Sequence, residues 1–281
     1  MPVRELLIRF YWEPSLAKKL QSTVTFVGMG LNDEKGLSIQ GLEEARSAHS
    51  VFAEFYTSPM PQVNMKKLEI TLQKPVTLLT RKDLEDDNGR RLVEASKNGN
   101  VVILVPGDPM VATTHVSLRL ILARKKIQTR IVHGQSIISA IVGATGLQNY
   151  KFGKSITMPS EQQQPVPQSL LDTLNDNLSR GLHTLIFLDP ATETHTLTIS
   201  EAIRRLVKSQ RGLTDQIAVG AARIGSYDQY VKAGKMRDLI NQDFGALPHV
   251  LVVPGKLHFI EIEALETFCG ASKIDLENAT C

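Results

Sequence analysis

The 281-residue chain is 42% hydrophobic and 22% charged, a composition typical of a globular protein with one large or two medium cores. Its formal net charge of +3 argues against a dedicated nucleic-acid binder. No run of about 18 apolar residues occurs, so no membrane span is predicted. Cys269 and Cys281 have neither metal-like nor redox spacing, which favours a reducing, cytoplasmic setting.

Residues 1–22 precede the regular part of the pattern. They hold the only tryptophan, Trp12, beside Phe10 and Tyr11, and charged residues interrupt the apolar run. The segment is too short and too mixed for a signal peptide. An amphipathic membrane anchor is one interpretation. We favour the other, an N-terminal extension that packs on the surface.

From Thr23 onward, short β-branched runs alternate with segments of helical periodicity. Ile39, Leu42 and Ala45 are spaced three apart, which predicts one buried helix face there. Such alternation is typical of βαβ units and a parallel sheet. The predicted strands are 23–27, 50–55 and 75–79, and the predicted helices are 38–48, 63–72 and 88–98.

The stretch 101–115, VVILVPGDPMVATTH, is the centre of the predicted sheet. Five apolar residues predict a strand that is buried on both faces. The segment Pro106–Pro109 then forces a turn, and Thr113 and Thr114 offer caps for a helix at 116–122. Open α/β sheets bind ligands just beyond the carboxyl ends of their strands, so a binding crevice is predicted at this turn.

A second series of elements follows, and we place a domain boundary near residue 131. This divides the chain into the extension 1–22, an N-terminal α/β domain 23–131 and a C-terminal α/β domain 132–281. A polar stretch at 160–168 is predicted to be an exposed loop. The strands predicted in this series are 130–133, 183–188, 216–222, its hairpin partner 229–233, and 249–253; the helices are 136–144, 169–179, 200–208 and 259–268.

Gly28-Met29-Gly30 after the first strand is the beginning of a dinucleotide-binding pattern, and Glu54 lies near the place of a ribose-binding carboxylate. Asp33, however, occupies the position of the third glycine and adds bulk and negative charge where a pyrophosphate would need a helix N-terminus. An NAD-dependent oxidoreductase is therefore a disfavoured alternative. A ligand with ribose, adenine and an amino acid group but no phosphate avoids this objection.

Asp108 is the candidate ligand-binding carboxylate. It either caps its own turn or accepts hydrogen bonds from a ligand, and we favour the second interpretation. His115 and His249 lie at element ends, where each is either structural or a ligand contact. No HExxH spacing is present, so no metal site is predicted. Neither a nucleophile elbow nor a P-loop occurs.

Seven collinear stretches carry a resemblance to a known family. They are GMGLNDEKGLSIQGLE (28–43), VFAEFYTS (51–58), PGDPMVATTH (106–115), GLQNYKFGKS (146–155), GLHTLIFLD (181–189), ARIGS (222–226) and PHVLVVPGKLHFIEIE (248–263). Together they resemble the diphthine synthases, the methyltransferases of diphthamide biosynthesis, over residues 23–271. The shorter archaeal form is the more similar.

This resemblance implies two α/β domains of the tetrapyrrole methylase type, also called class III methyltransferases. S-adenosylmethionine would lie in the cleft between them, and the assembly would be a homodimer. The implied reaction is repeated N-methylation of a 3-amino-3-carboxypropyl group on a histidine of translation elongation factor 2, giving diphthine and S-adenosylhomocysteine. A methyltransferase acting on a tetrapyrrole is the alternative within this fold.

The resemblance also implies the cofactor contacts, while no catalytic residue is named. Independently of the resemblance, Lys151 and Lys154 near the cleft entrance fit a protein substrate, although a solvated surface is the interpretation we favour for any single lysine. Gly30→Val is expected to block the cofactor without harming the fold. The implied cofactor-binding residues are Leu31, Asp108, Val111, Ser136, Ile137, Leu188, Ile224 and His249.

Overall fold

The structure is a computed structural model, and it describes residues 22–160, 165–189 and 197–278. Nearly all of the predicted extension at residues 1–22, and residues 161–164 of the predicted polar loop, lie outside this part of the chain. The described residues form two sheets, each covered by helices. The predicted two-sheet α/β fold class is therefore confirmed.

The first sheet is entirely parallel, as the alternation of strands and helices predicted. Its strand order is β3-β2-β4-β1-β5, which places β4 and β1 in the centre. Its strands are β1 (Thr23–Gly28), β2 (Ser50–Glu54), β3 (Val76–Leu79), β4 (Val101–Val105) and β5 (Gln128–Val132), and its helices are α1 (Ile39–Ser47), α2 (Met65–Leu72), α3 (Arg81–Leu84), α4 (Arg90–Ser96) and α5 (His115–Arg124).

Strand β4 shows why this sheet needs helices on both faces. Val101, Ile103 and Val105 pack into one apolar cluster, while Val102 and Leu104 pack into another on the opposite face. All five are buried, as expected for a central strand of a parallel sheet. The strand therefore holds the following turn, 106–109, against a rigid support.

The second sheet is mixed and has the order β6-β7-β10-β8-β9. Only β6 and β7 are parallel, and the other neighbours are antiparallel. The predicted hairpin of β8 and β9 is confirmed. The elements are α6 (Ile137–Thr145), β6 (Ile156–Met158), α7 (Gln168–Ser179), β7 (Thr184–Leu188), α8 (Ile199–Ser209), β8 (Ile217–Ala222), β9 (Tyr230–Lys235), α9 (Met236–Leu239), β10 (His249–Val253), α10 (Phe259–Cys269) and α11 (Lys273–Asn278).

The structure corrects one predicted helix face. Ile39 is 77% exposed, whereas Gly41 and Ala45 are the buried residues of α1. Ile39 is the first residue of this short helix, next to the Ser38 cap, so the spacing of apolar residues misled there. The division into domains near residue 131 stays a prediction; β5 ends at Val132 and is the last strand of the first sheet.

Three glycines bring the main chain of three loops into direct contact at the carboxyl edge of the first sheet. A Cβ atom on Gly28 would lie 2.5 Å from the nitrogen of Gly134 and 2.6 Å from the carbonyl oxygen of Gly107. Gly30 also exchanges two backbone hydrogen bonds with Gly107. We call Gly28, Gly107 and Gly134 the glycine junction. These contacts hold the carboxyl ends of β1 and β4 against the segment around Gly134, which leads into the second sheet.

The expectation that Gly30→Val would leave the fold unharmed is wrong, and its effect on cofactor binding stays a prediction. Gly30 has a φ of +78°, and an added Cβ would lie 3.0 Å from the carbonyl oxygen of Gly36. A β-branched residue in the left-handed region is strained in itself. The substitution would therefore distort the turn as well as fill it.

Candidate functional site

A cavity of about 310 Å³ lies between the carboxyl edge of the first sheet and the strands of the second. The first half lines it with the loop after β2, the turn after β4 and the region around α3. The second half contributes the start of α6, the carboxyl ends of β7 and β8, and the first residues of β10. All eight residues implied as cofactor contacts line this cavity: Leu31, Asp108, Val111, Ser136, Ile137, Leu188, Ile224 and His249.

Asp108 caps its own turn and lines the cavity, and its hydrogen bonding to a ligand stays a prediction. Its Oδ1 accepts a hydrogen bond from the backbone N–H of Met110 at 2.9 Å, which caps the turn. Its Oδ2 lies 2.7 Å from Nδ1 of His133, whose side chain is largely exposed. Although Asp108 is only 8% exposed, it still lines the cavity. A carboxylate oxygen has two lone-pair directions, so Oδ2 can also accept from a ligand.

His249 contributes an apolar ring surface to the cavity. Its Nδ1 accepts from the backbone N–H of Ile199 at 3.4 Å, and its Nε2 donates to the carbonyl of Gly245 at 3.2 Å. Burial lowers the pKa of His249, so the ring is neutral near pH 7. Because the fold uses both ring nitrogens, contact with a ligand would be mainly through the ring face.

Arg223 positions its neighbour Ile224 at the cavity. Its backbone is left-handed, with a φ of +52°. The guanidinium compensates by donating to the carbonyl of Phe244 at 2.8 Å and that of Asp228 at 2.9 Å, and it also contacts the Ala246 carbonyl. One side chain thus holds two loops beside the site, which places the apolar side chain of Ile224 in the lining.

Glu54 does not line the cavity, so it is not placed as the ribose-binding carboxylate that the glycine pattern suggested. Its side chain is completely buried and accepts hydrogen bonds from the backbone and the hydroxyl of Thr57, at 3.0 and 2.5 Å. Burial raises its pKa to about 7. Oε1 lies 3.8 Å from Nε2 of His115.

His115 is structural. Its side chain is 1% exposed, and Nδ1 donates to the carbonyl of Pro109 at 3.1 Å. Burial lowers its pKa, and Nε2 has no hydrogen-bond partner among the described residues. The imidazole therefore holds the turn after β4 from behind.

Lys151 is also structural, contrary to the expected place near the cleft entrance. Its amine pairs with Glu261, which is completely buried, and contacts the carbonyl of Lys256. Glu261 also accepts from Nε2 of His183 at 2.8 Å. Since Gly255 N–H donates to Nδ1 of His183, the proton of that ring sits on Nε2. Lys154 is exposed.

The charges of the lining indicate what the cavity can bind. Glu85, Asp108 and Asp189 provide carboxylates, and Arg81 is the one guanidinium among the lining residues that the structure describes. Several of the remaining lining residues have apolar side chains. This balance favours a cationic ligand with an apolar portion over a diphosphate. Asp33 caps the turn after Gly30 by accepting from the N–H of Lys35, so its negative charge is indeed held there.

Comparison with known families agrees with this geometry. Residues 23–240 match the family model described as Tetrapyrrole (Corrin/Porphyrin) Methylases. The chain is therefore a methyltransferase of the tetrapyrrole methylase type, and its cavity lies where two α/β halves meet.

More specific relatives share most of the chain's length. A diphthine synthase of Methanococcoides burtonii is 43% identical over 263 residues, covering 90% of this chain and 98% of the relative. One of Archaeoglobus fulgidus is 44% identical over 249 residues, covering 88% and 96%. A crystal structure of a diphthine synthase superposes with a TM-score of 0.84 at 42% identity, covering 92% and 100%. The chain belongs to the diphthine synthase family and is an S-adenosylmethionine-dependent methyltransferase of diphthamide biosynthesis, as its motifs indicated.

Two further observations concern the described residues only. Within residues 22–160, 165–189 and 197–278, no cluster of three or more His, Cys, Asp or Glu side chains is suited to hold a metal ion. In the same part of the chain, no helix has the length and apolar character to cross a bilayer.

The cavity also contains a polar group that the sequence did not predict. Tyr56, Arg81, Glu85 and Thr114 line it together, although they come from three separate segments. Tyr56 fell within a quoted motif but had no assigned role, and Thr114 was named only as a candidate helix cap. Arg81 and Glu85 begin and follow a helix of a single turn, α3, for which apolar periodicity gives no signal.

Proposed function

We propose that this methyltransferase binds S-adenosylmethionine in the cavity between its two sheets. We further propose that it methylates the amino group of a 3-amino-3-carboxypropyl histidine on translation elongation factor 2. The main support is that eight residues spread from position 31 to position 249, named from motifs alone, line a single cavity. The acceptor is proposed because the relatives are diphthine synthases.

The lining suits the proposed cofactor chemically. Leu31, Val111, Ile137, Leu188 and Ile224 offer apolar contact for the adenine ring. Asp108 provides a buried anionic acceptor for a ribose hydroxyl or an ammonium group, and the lining residues that the structure describes include no cluster of cations that a phosphate would need. When bound, S-adenosylmethionine supplies a methyl group on a positively charged sulfur, which an amine can displace directly.

The protein's part in such a transfer is mainly alignment. The acceptor nitrogen forms its new bond to the methyl carbon as the carbon–sulfur bond breaks, and the bonding pair stays on sulfur. The amine loses one proton to water for each methyl group that it gains. Correct positioning contributes about 7–11 kcal/mol to such reactions. The rigid turn after β4 and the glycine junction support this positioning because they hold the cavity lining in place.

Mass spectrometry of elongation factor 2 tests the reaction. The substrate would be purified factor bearing the aminocarboxypropyl histidine, incubated with the enzyme and S-adenosylmethionine. We expect mass gains in steps of one methyl group on that histidine, and none on factor with an unmodified histidine. An unchanged mass of the modified factor would contradict the proposal, while methylation elsewhere would replace the acceptor.

Calorimetric titration tests the cofactor site. Asp108→Asn keeps an oxygen for the Met110 cap but removes the charge, so binding of S-adenosylhomocysteine should weaken by about 1–3 kcal/mol. Asp86→Asn, an exposed neighbour of α3, is the control. Equal affinity of both variants would remove Asp108 from the site. Binding of NADH by the wild type would revive the oxidoreductase alternative.

Two expectations complete the proposal. The family resemblance implies a homodimer, which sedimentation equilibrium of the full chain would check. Cytoplasmic localisation follows from the proposed substrate, since elongation factor 2 works at the ribosome. Fluorescence microscopy of a tagged chain would test it.

A further inference from the structure

The cavity has a polar corner, made of Tyr56, Arg81, Glu85 and Thr114. The guanidinium of Arg81 lies over the ring of Tyr56, 5.3 Å from its centroid. The hydroxyl of Thr114 donates to Oε1 of Glu85 at 3.0 Å. None of the four is among the eight proposed cofactor contacts. The corner therefore remains available to a second ligand.

The corner holds opposite charges that do not pair with each other. Arg81 and Glu85 are four positions apart, yet neither forms an ion pair in the part of the chain that the structure describes. The Tyr56 hydroxyl is buried and makes no hydrogen bond of good geometry among the same residues, although Thr114 and Glu85 lie close to it. Burial raises the pKa of Tyr56, so this group stays a neutral donor. An unpaired cation, an unpaired anion and a donor in one cavity match a zwitterion.

We propose that the polar corner recognises the α-amino acid group of the acceptor: Arg81 binds its carboxylate and Glu85 binds its amine. This inference rests on the proposed function, in which the aminocarboxypropyl histidine carries such a group. Arg81 can form two parallel hydrogen bonds to a carboxylate, and Tyr56 can donate a third. Glu85 would then hold the nitrogen in place for the methyl group.

The methionine portion of the cofactor has the same α-amino acid chemistry, so it is the second source of a matching ligand. The position of the corner favours the acceptor. Arg81 and Thr114 are exposed, whereas Asp108, Ser136, Leu188 and Ile224 are buried. An acceptor attached to a protein must enter from solvent, and the exposed guanidinium of Arg81 meets it first, while Glu85 is half-buried.

Steady-state kinetics with modified elongation factor 2 test this assignment. Arg81→Gln and Glu85→Gln each remove one charge, and Arg81→Lys keeps the charge without the bidentate geometry. Lys82→Gln and Asp86→Asn are matched controls on exposed neighbours. We expect kcat/KM for the modified factor to fall by about 10- to 100-fold in the two Gln variants, with a smaller loss in Arg81→Lys. The controls should resemble the wild type.

Calorimetry with S-adenosylhomocysteine separates the two sources. If the corner binds the acceptor, all five variants should keep wild-type affinity, which also shows that they are folded. Weaker S-adenosylhomocysteine binding by the Gln variants would assign the corner to the cofactor and overturn the inference. Unchanged kcat/KM would overturn it too. A wild-type enzyme that leaves the modified factor unmethylated would instead contradict the proposed function itself.

Discussion

Glu54 ends a strand of the first sheet, and Glu261 lies in the first turn of α10 beside the second. Both side chains are completely buried. Burial raises the pKa of Glu54 to about 7, whereas the pKa of Glu261 falls to about 2. The same residue type, equally hidden from water, thus titrates near pH 7 in one half and is firmly ionised there in the other.

The hydrogen-bond donors explain this difference. Burial by itself would raise the pKa of Glu261 as well, but His183, Lys151 and the backbone N–H groups of Gln148 and His258 all donate to its carboxylate. Glu54 has Thr57 as its donor, and the nearby His115 is itself kept neutral by burial. Donors, and not burial, decide whether a hidden carboxyl group is charged.

Glu261→Gln should have the largest effect. It leaves the Lys151 amine without its counter-ion and replaces one acceptor oxygen by a donor, facing groups that already donate. Breaking a buried pair from one side costs about 3–5 kcal/mol in the free energy of unfolding. Urea denaturation at pH 7 measures this, and a loss below about 1 kcal/mol would show that the network contributes little.

The pH dependence of stability should separate the two carboxyl groups. The folded-state pKa of Glu261 lies below its ordinary value of 4.5, so its contribution is full above pH 4.5 and is lost as the pH falls toward 2. The pKa of Glu54 lies above 4.5, so its contribution is full below pH 4.5 and is lost as the pH rises through 7. Each contribution is about 3 kcal/mol.

The difference between wild type and Glu54→Gln isolates the second contribution. The variant should be within about 1 kcal/mol of wild type at pH 5 and more stable by about 2–3 kcal/mol at pH 8. His115 has an opposing dependence below its usual pKa, but it is present in both proteins. Urea denaturation at each pH gives the curve. A difference that does not change with pH would place the pKa of Glu54 near its ordinary value.

Lys151→Gln should be milder than Glu261→Gln, at about 1–3 kcal/mol. His183 and two backbone donors still satisfy the carboxylate of Glu261, so no buried charge is left alone. Lys154→Gln, an exposed position in the same loop, is the control and should change little. A loss for Lys151→Gln equal to that of Glu261→Gln would mean that the lysine alone keeps the carboxylate ionised.

Thr57→Val should have the smallest effect. It removes the hydroxyl that donates to Oε1 of Glu54 but leaves the backbone N–H in place. We expect a loss of about 0.5–1.5 kcal/mol and a further rise in the pKa of Glu54. Titration of the carboxyl carbon signal by NMR would check the second point, and a lower pKa would contradict it.

The sequence predicted the longer elements well because their apolar patterns are local. Strand β4 at Val101–Val105 and strand β10 at His249–Val253 match their predicted bounds. Four short elements were missed: β6, α3 and α9 span four residues or fewer and α11 spans six, too few for a period to emerge.

Contacts between segments that are distant in the chain could not be predicted from local sequence patterns. His183 and Glu261 fall in two quoted motifs, but nothing near either residue predicts that they meet. Glu54 looked like a ligand contact because only its position in the chain was visible, and not the direction of its side chain. The eight proposed cofactor contacts, in contrast, came from family likeness, and the fold brings them to one cavity.

The glycine junction has a consequence for how this scaffold can diversify. Where Gly28, Gly107 and Gly134 touch, peptide groups are in direct contact without side chains between them. Few substitutions can therefore be accommodated at this junction. New acceptor preferences would have to come from substitutions at other lining residues of the cavity, such as Arg81 or Glu85. Enzymes built on this pattern should keep the same donor while changing what they methylate.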